Sequence, residues 1–418
     1  MKHNLSGKKV LVIGPVWPES KSSAAGKRML QLLQCFKDWG MQIYFGSTAK
    51  KSEVSDDLSC YGVTEVELWL NDARTDEVLA DLMPDVVMYD RFMIEEQFGW
   101  RVTEQCPDAM TILDTEDLHF LRFARQEMQK KGGEDIEDYL YCERAKRELA
   151  SILRCDLTLI ISAYEYKLLV EKFHILPNAL LFIPFMEKEI TSEDISNWKG
   201  YEEREDFVFI GNFIHEPNWQ TVLKLKTVIW PLLRKKLPQT RMHIYGAYPS
   251  AKVMQLHNES ERFMVHGRAD DALEVISAAK VMLAPIPFGA GIKGKFVDAM
   301  RVGTPSVSSS VGVESMKGES EWCGYVGDEV EDFVDKAVDL YLNESIWREK
   351  QLLGIEILKR NYDAEFYSEA FLLAILRLSK DLVATRRANF LGEVFKHHTA
   401  QSSKYFGMWI EEKNKKSE

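Results

Sequence analysis

Residues 288–296 read Phe288-Gly-Ala-Gly-Ile-Lys-Gly-Lys-Phe296, and they follow the apolar run 281–286 and open the helix-like stretch 293–301. Such an order predicts a strand, a glycine-rich turn and a helix N-terminus. Gly289, Gly291 and Gly294 let backbone approach a ligand closely, and the first-turn N–H groups of a helix have no partner within the helix. The helix macrodipole adds partial positive charge at that end, so the turn suits a phosphate group. Lys293 and Lys295 supply two full charges beside it.

Outward from this loop, strand-like and helix-like runs alternate along most of the chain. In the first half, strands are expected at 9–13, 42–46, 65–70, 85–89, 110–113, 157–162 and 180–183. A helix is expected at 24–39, and a longer one at 134–153 with Ile136, Leu140, Leu149 and Leu153 facing the core. The polar stretch 187–206 reads as a linker, and the alternation then restarts with strands at 207–210, 242–245, 263–266, 281–286 and 306–309. Helices are expected between them at 219–235, 271–279 and 293–301. Strands separated by helices imply parallel sheets covered on both faces, so the fold class is α/β with two doubly wound, Rossmann-like domains. Ligands of such sheets bind outside the carboxyl ends of the strands. The expected division is a first domain over 1–186, the linker, a second domain over 207–364 and a helical tail over 365–418.

The 418 residues are 45% hydrophobic and 28% charged with 13 prolines, a composition typical of soluble globular proteins. A formal net charge of −12 argues against a general nucleic-acid binder, which needs a basic face. Residues 1–9 show no signal-peptide pattern, and no apolar run is long enough to span a bilayer. The six cysteines show neither C-x-x-C pairs nor zinc-ligand spacing, which fits reduced thiols and a cytoplasmic setting.

The glycine loop alone satisfies several motifs. Gly289, Gly291 and Gly294 fit the dinucleotide pattern G-x-G-x-x-G, with Glu314 at a distance to meet a ribose, but that pattern belongs in the first turn of its domain. Gly289, Gly294 and Lys295 begin a Walker A loop, yet Phe296 stands where a magnesium-binding hydroxyl is required. A plain turn with two solvated lysines is the bland alternative.

A wider set of segments separates these readings. Phe209-Ile-Gly-Asn-Phe, Glu216-Pro-Asn-Trp, Trp230-Pro-Leu-Leu, Met242-His-Ile-Tyr-Gly, His266-Gly-Arg, the glycine loop and Asp298-Ala-Met-Arg-Val-Gly-Thr-Pro-Ser-Val occur in that order. Together they resemble the donor half of retaining GT-B glycosyltransferases of family 4, the group 1 type. In the first half, Asp114-Thr-Glu-Asp-Leu-His-Phe-Leu-Arg resembles the loop that brings a histidine to the donor sugar. The resemblance spans roughly residues 9–363 and implies two domains facing each other across a cleft. It also implies transfer of a sugar from a nucleotide-diphosphate sugar to a glycan, lipid-linked glycan or protein acceptor. No cofactor and no metal are expected, since lysines and a helix N-terminus can hold the leaving diphosphate and no D-x-D clamp is evident.

The resemblance implies roles for particular residues. His119, Lys293 and Lys295 are the expected catalytic groups. Gly289, Ala290, Gly291, Ile292, Lys293, Lys295, Asp298, Gly211, Asn212, His266 and Gly267 are the expected nucleotide and phosphate contacts. Asp298 takes the place of the second Glu of the E-x7-E motif, and Ala290 that of the first, whose contact is therefore missing. Asn212 and Pro217 stand near positions where many relatives carry an Arg and a Lys, so charge for the diphosphate falls to the glycine loop. Ser22, Ser23 and Gly26 either touch donor or acceptor or simply cap the first helix. Ala290, Asn212 and Pro217 keep open a catalytically silent binding protein of the same fold, and a sugar-nucleotide epimerase is a further alternative. The tail, with Phe390, Phe395, His397, His398, Tyr405, Phe406, Trp409, Lys413, Lys415 and Lys416, is expected to pack on the first domain, with a protein partner or a peripheral place at the inner membrane face as alternatives.

Overall fold

The computed structural model describes residues 5–415; Met1 to Asn4, Lys416 and the side chains of His398 and Lys415 lie outside the described residues. The chain forms two compact units. The first comprises Met1–Glu19, Lys27–Ile183 and Phe366–Glu418, and the second Ser20–Gly26 and Pro184–Glu365.

Seven parallel strands build the first unit: β1 (Lys9–Gly14), β2 (Gln42–Ser47), β3 (Val63–Glu67), β4 (Val86–Asp90), β5 (Met110–Asp114), β6 (Leu157–Ile160) and β7 (Leu180–Phe182). Their order is β3-β2-β1-β4-β5-β6-β7. Central strands of such a sheet are covered on both faces and therefore read as unbroken apolar runs; Val10, Leu11, Val12 and Ile13 of β1 are all fully buried. The order reverses between β1 and β4, so those two strands flank a crevice at their carboxyl ends.

The second unit repeats the plan with β8 (Glu205–Ile210), β9 (Met242–Tyr245), β10 (Phe263–Gly267), β11 (Ala279–Ala284), β12 (Ser306–Ser308) and β13 (Gly324–Val326), ordered β10-β9-β8-β11-β12-β13. All recorded pairings in both sheets are parallel. Here the switch point lies between β8 and β11, the strands that lead into Gly211-Asn212 and into the glycine loop.

Several expectations are corrected. The single helix expected over 134–153 is two, Glu137–Leu140 and Glu143–Arg154, interrupted at Tyr141 and Cys142. Its buried face carries Ala145, Glu148, Ser151 and Ile152, whereas Leu149 and Leu153 are half-buried. The carboxylate of Glu148 is used inside the fold, which apolar periodicity does not register. The helix expected over 219–235 runs Glu216–Lys224, a π turn Leu225–Ile229 and then Trp230–Lys236. The N–H of Trp230 reaches Leu225 O, and the next residue, Pro231, has no N–H to continue the ladder. The third strand starts two residues earlier than expected, at Val63.

Residues 187–206, read as a linker, have structure of their own and group with the second unit. Thr191 and Asp194 form a capping box for the helix Ser192–Ser196. Arg204, fully buried, donates to Thr304 Oγ1 at 2.6 Å and Val302 O at 2.7 Å. Glu187 N–H donates to Tyr362 O at 2.7 Å, and Ala364 N–H to Glu187 O at 3.1 Å, so the two stretches that enter and leave this unit are paired. The polar composition reflects the segment's outer surface, not an absence of anchors.

In the first unit the tail helix Phe390–Lys415 lies along the helices Phe92–Gln105 and Glu143–Arg154. A Cβ at Gly392 would come within 2.2 Å of Leu153 O, so only glycine allows that approach. Arg386, from the preceding helix Leu382–Ala388, donates to Asp156 Oδ1 and Oδ2 at 2.9 Å each and to the carbonyls of Pro107 and Ala109 at 2.7 Å. His397 is exposed. No described helix is long and apolar enough to cross a membrane.

Candidate functional site

The glycine loop leaves β11 and ends in the helix Gly294–Arg301, whose N-cap residue Lys293 is extended and makes no side-chain capping bond. Gly291 has φ 63°, a left-handed turn that glycine adopts without strain. A Cβ at Gly294 would sit 2.6 Å from Ala24 Cβ and 3.3 Å from the Phe185 ring, so close packing fixes glycine there. Lys293 N–H rests on Met316 Sδ at 3.2 Å, and its ammonium donates to Gly291 O at 3.0 Å. Ala290 is half-buried and Ile292 buried within this turn, and Asp298 lies one helical turn beyond Gly294 with partial exposure.

Lys295 points back toward the end of β8. Its Nζ donates to Asn218 Oδ1 at 2.6 Å and lies 4.2 Å from the centre of the Phe209 ring. Desolvation, and secondarily the neighbouring Lys293, lowers its pKa to about 7. Asn218 in turn donates to Asn212 O at 2.8 Å. Gly211 leaves it room, because a Cβ there would lie 2.7 Å from the Asn218 amide carbon and displace that side chain. The loops after β8 and β11 thus meet through Lys295, Asn218 and Asn212 at the switch point. Asn218 and Phe209 were not among the expected site residues, although both stand in the segments that carry the resemblance.

His266 and Gly267 close β10. Gly267 has φ 80° and its carbonyl accepts from Gly246 N–H at 2.7 Å. The exposed His266 ring stacks on Tyr245 at 4.5 Å and bonds His243 at 2.9 Å, whose other nitrogen bonds Asp206 at 2.9 Å. Glu314 follows the short helix Ser310–Val313 and is half-buried.

Ser22, Ser23 and Gly26 group with the second unit. Ser23 Oγ accepts from Gly26 N–H at 3.0 Å, which is the capping geometry. Ser22 Oγ is buried with no hydrogen-bond partner among the described residues.

In the first unit His119 begins the helix His119–Lys131 and is 8% exposed. Its ring stands edge-on to Phe92 at 5.5 Å, with Nε2 3.5 Å from Asp117 Oδ1. Burial holds its pKa at about 3 despite Asp117, so it is neutral at physiological pH. The helix N-terminus is already filled from within. Glu165 accepts from Leu118 N–H at 2.9 Å, and Glu148 accepts from His119 N–H at 3.0 Å and Phe120 N–H at 2.8 Å. The helix Gly294–Arg301, by contrast, begins at a lysine, Lys293, that makes no side-chain capping bond.

Residues 204–343 match the family described as glycosyl transferases group 1. Among solved structures, a sucrose-phosphate synthase from Thermosynechococcus elongatus superposes with a TM-score of 0.65 at 15% identity, covering 90% of this chain and 100% of that one. A glycosyltransferase from Rickettsia africae gives 0.62 at 11% identity, covering 90% and 99%. HepE from Anabaena, solved in complex with UDP and glucose, gives 0.61 at 11% identity, covering 87% and 98%. No curated protein matches the chain by sequence. The chain therefore has the GT-B fold, and the stretch that matches the group 1 glycosyl transferase model lies in its second unit.

Proposed function

We propose that the chain is a glycosyltransferase that binds a nucleotide-diphosphate sugar at the glycine loop and transfers the sugar to a hydroxyl of a glycan, lipid-linked glycan or protein acceptor. The observation that carries this reading is the glycine-rich turn that leads into the helix N-terminus at Gly294, where two lysines, Lys293 and Lys295, stand at the switch point of the sheet. The HepE complex with UDP and glucose supports the choice of donor class.

As the bond from C1 of the sugar to the diphosphate lengthens, negative charge grows on the β-phosphate. Loop N–H groups from Gly289 to Ile292, together with Lys293 and Lys295, are the groups that meet it. A single preorganised donor of this kind is worth about 10²–10³ in rate. Asp298 takes the ribose hydroxyls, the backbone at His266 and Gly267 the base, and Gly211 and Asn212 the far side of the diphosphate. With ammonium groups in this role the reaction needs no metal, and attack from the face of the leaving group retains the anomeric configuration. Ser22, Ser23 and His119 are left to positioning of the sugar or the acceptor, in a cytoplasmic protein.

Calorimetric titration with UDP, GDP and ADP tests this, with and without EDTA, on the parent and on Lys293→Ala and Lys295→Ala. One nucleotide is expected to bind the parent regardless of EDTA, and each substitution to weaken it at least tenfold. Failure of all three nucleotides to bind removes the transferase reading. A silent binding protein is the second reading, favoured by the engagement of both ammonium groups inside the protein, on Gly291 O and Asn218 Oδ1. Nucleotide binding without hydrolysis or transfer of any sugar from its donor decides for it.

A further inference from the structure

The carboxyl ends of β4 and β5 in the first unit hold charged groups that the glycine-loop chemistry does not use. Strand register places Asp90 opposite Asp114. Asp114 is fully buried and satisfied: Arg28 Nε donates to both its oxygens at 3.1 Å and Nη2 to Oδ1 at 2.8 Å, while Nη1 donates to Ile183 O at 2.7 Å. Asp90 differs. Its side chain is 9% exposed, its Oδ1 has no hydrogen-bond partner, and its nearest cation is Arg91 Nε at 3.7 Å. Glu116 Oε1, two residues past β5, is likewise sealed from solvent without a hydrogen-bond partner. A buried polar atom left unbonded costs about 1–3 kcal/mol. Two carboxyl groups that influence each other carry that cost, Asp90 at the end of a strand flanking the switch point and Glu116 two residues past the neighbouring strand.

We propose that Asp90 and Glu116 form a binding site for the hydroxyl groups of a neutral sugar, held rigid by the Arg28–Asp114 pair and by Arg91. Hydroxyls fit the donor set because they both give and accept hydrogen bonds, and an adjacent diol can serve two carboxyl oxygens together. An anionic ligand is opposed by the carboxylates, and a metal cation by the two guanidinium groups. The charges facing Glu116 are Asp90 and Arg91 at the end of β4, Asp114 at the end of β5 and Arg28 from the helix Ala24–Asp38. Three carboxyls against two guanidiniums leave room for one proton. Desolvation, followed by Asp114 and Asp90, raises Glu116 to about 8, and burial raises Asp90 to about 6. At neutral pH Glu116 then supplies an O–H donor beside an Asp90 acceptor.

The inference shares with the proposed function only the idea that the ligand is a sugar, and the binding measurement that decides it contains no nucleotide; nucleotides enter only afterwards, to assign the source of the sugar. Saturation-transfer NMR is recorded with D-glucose, D-galactose, D-mannose and N-acetyl-D-glucosamine on the full chain and on Asp90→Asn, Glu116→Ala, Glu116→Gln and Lys295→Ala. At least one sugar is expected to bind at pH 7, weakened fivefold or more by Asp90→Asn and Glu116→Ala and unchanged by Lys295→Ala. Glu116→Gln keeps a donor, so it should retain binding and abolish the loss seen in the parent above pH 8. That rescue separates ligand contact from a structural role. Adding UDP-glucose or UDP then distinguishes two sources: displacement by UDP-glucose alone marks the donor's own sugar, and undisturbed binding marks an acceptor. Absence of sugar binding by the parent overturns the proposal. Binding that persists in Asp90→Asn and Glu116→Ala, or saturation of the site by magnesium or manganese instead, does the same.

Discussion

Lys295 shows most directly how one side chain is held ready at a cost. Its pKa falls from 10.5 to about 7, because burial disfavours the ammonium and Lys293 repels it. The unfolded chain therefore holds this proton more tightly than the folded chain between about pH 7 and 10.5. The penalty is full below pH 7 and fades as pH rises through that window, so stability rises with pH there. Lys295→Met is expected to raise the thermal midpoint at pH 7 while weakening UDP binding. A bound diphosphate restores the charge, so UDP binding at pH 8 should take up close to one proton, about 0.9 from the shifted pKa. Calorimetry in buffers of different ionisation enthalpy reads that uptake, and Lys295→Arg should abolish it.

Single residues also mark where reading the chain stopped. The glycine loop was legible because its turn, cap and charges are contiguous, so local rules reach all of them. Asp90, Glu116 and Arg28 were not, since β-sheet register and a helix bring them together from 62 to 88 residues apart, counting along the chain from Arg28. Arg91 and Glu116 moreover have φ of 74° and 62°. Left-handed backbone at such side chains is uncommon and costs of order 1–3 kcal/mol, and nothing in composition announces it.

At the scale of elements, strands were recognised well because parallel strands are buried on both faces. The helices that carry buried charge were not. The helix Glu143–Arg154 turns Glu148 inward to cap another helix, against the rule that charges face water. Desolvation raises Glu148 to about 8 although two backbone N–H groups oppose the shift. The unfolded carboxyl titrates near 4.5, so this group's favourable contribution is complete below that pH and disappears as pH rises through about 8. Urea unfolding should show stability falling from pH 5 to 8, and Glu148→Gln should flatten that slope. Close packing of β-loops makes a second expectation. A Cβ at Gly246 would meet Gly211 O at 2.0 Å and the Phe213 ring at 2.4 Å. Gly246→Ala should cost about 1–3 kcal/mol by overpacking, and calorimetry should also show weaker nucleotide binding because Gly211 seats Asn218.

For the whole molecule, the tail is as much a part of the first unit as any strand. Arg386 neutralises Asp156, whose side chain is 2% exposed and which also accepts from Thr111 N–H at 2.8 Å. Arg386→Ala leaves that carboxylate with the more distant Lys396, at 4.0 Å, in place of its direct partner, and a loss of about 2–3 kcal/mol in urea unfolding is expected. The doubly wound plan of both units was evident in the alternation of the chain. The return of the tail to the first unit was expected from the resemblance, whereas the grouping of residues 20–26 with the second unit was not, because no local pattern reports which stretch returns to which sheet.

That interleaving reverses the order in which the protein can be completed as it is made. Residues 184–365 leave the ribosome with every strand of their sheet in hand, whereas the first unit, although its seven strands are complete by Phe182, must wait for Arg386 and the helix after it. The half translated first is finished last. Until then Asp156 and the surfaces under the tail stand open to solvent, so a message cut short near residue 365 yields one finished domain joined to an unfinished one, a product open to chaperones and proteases.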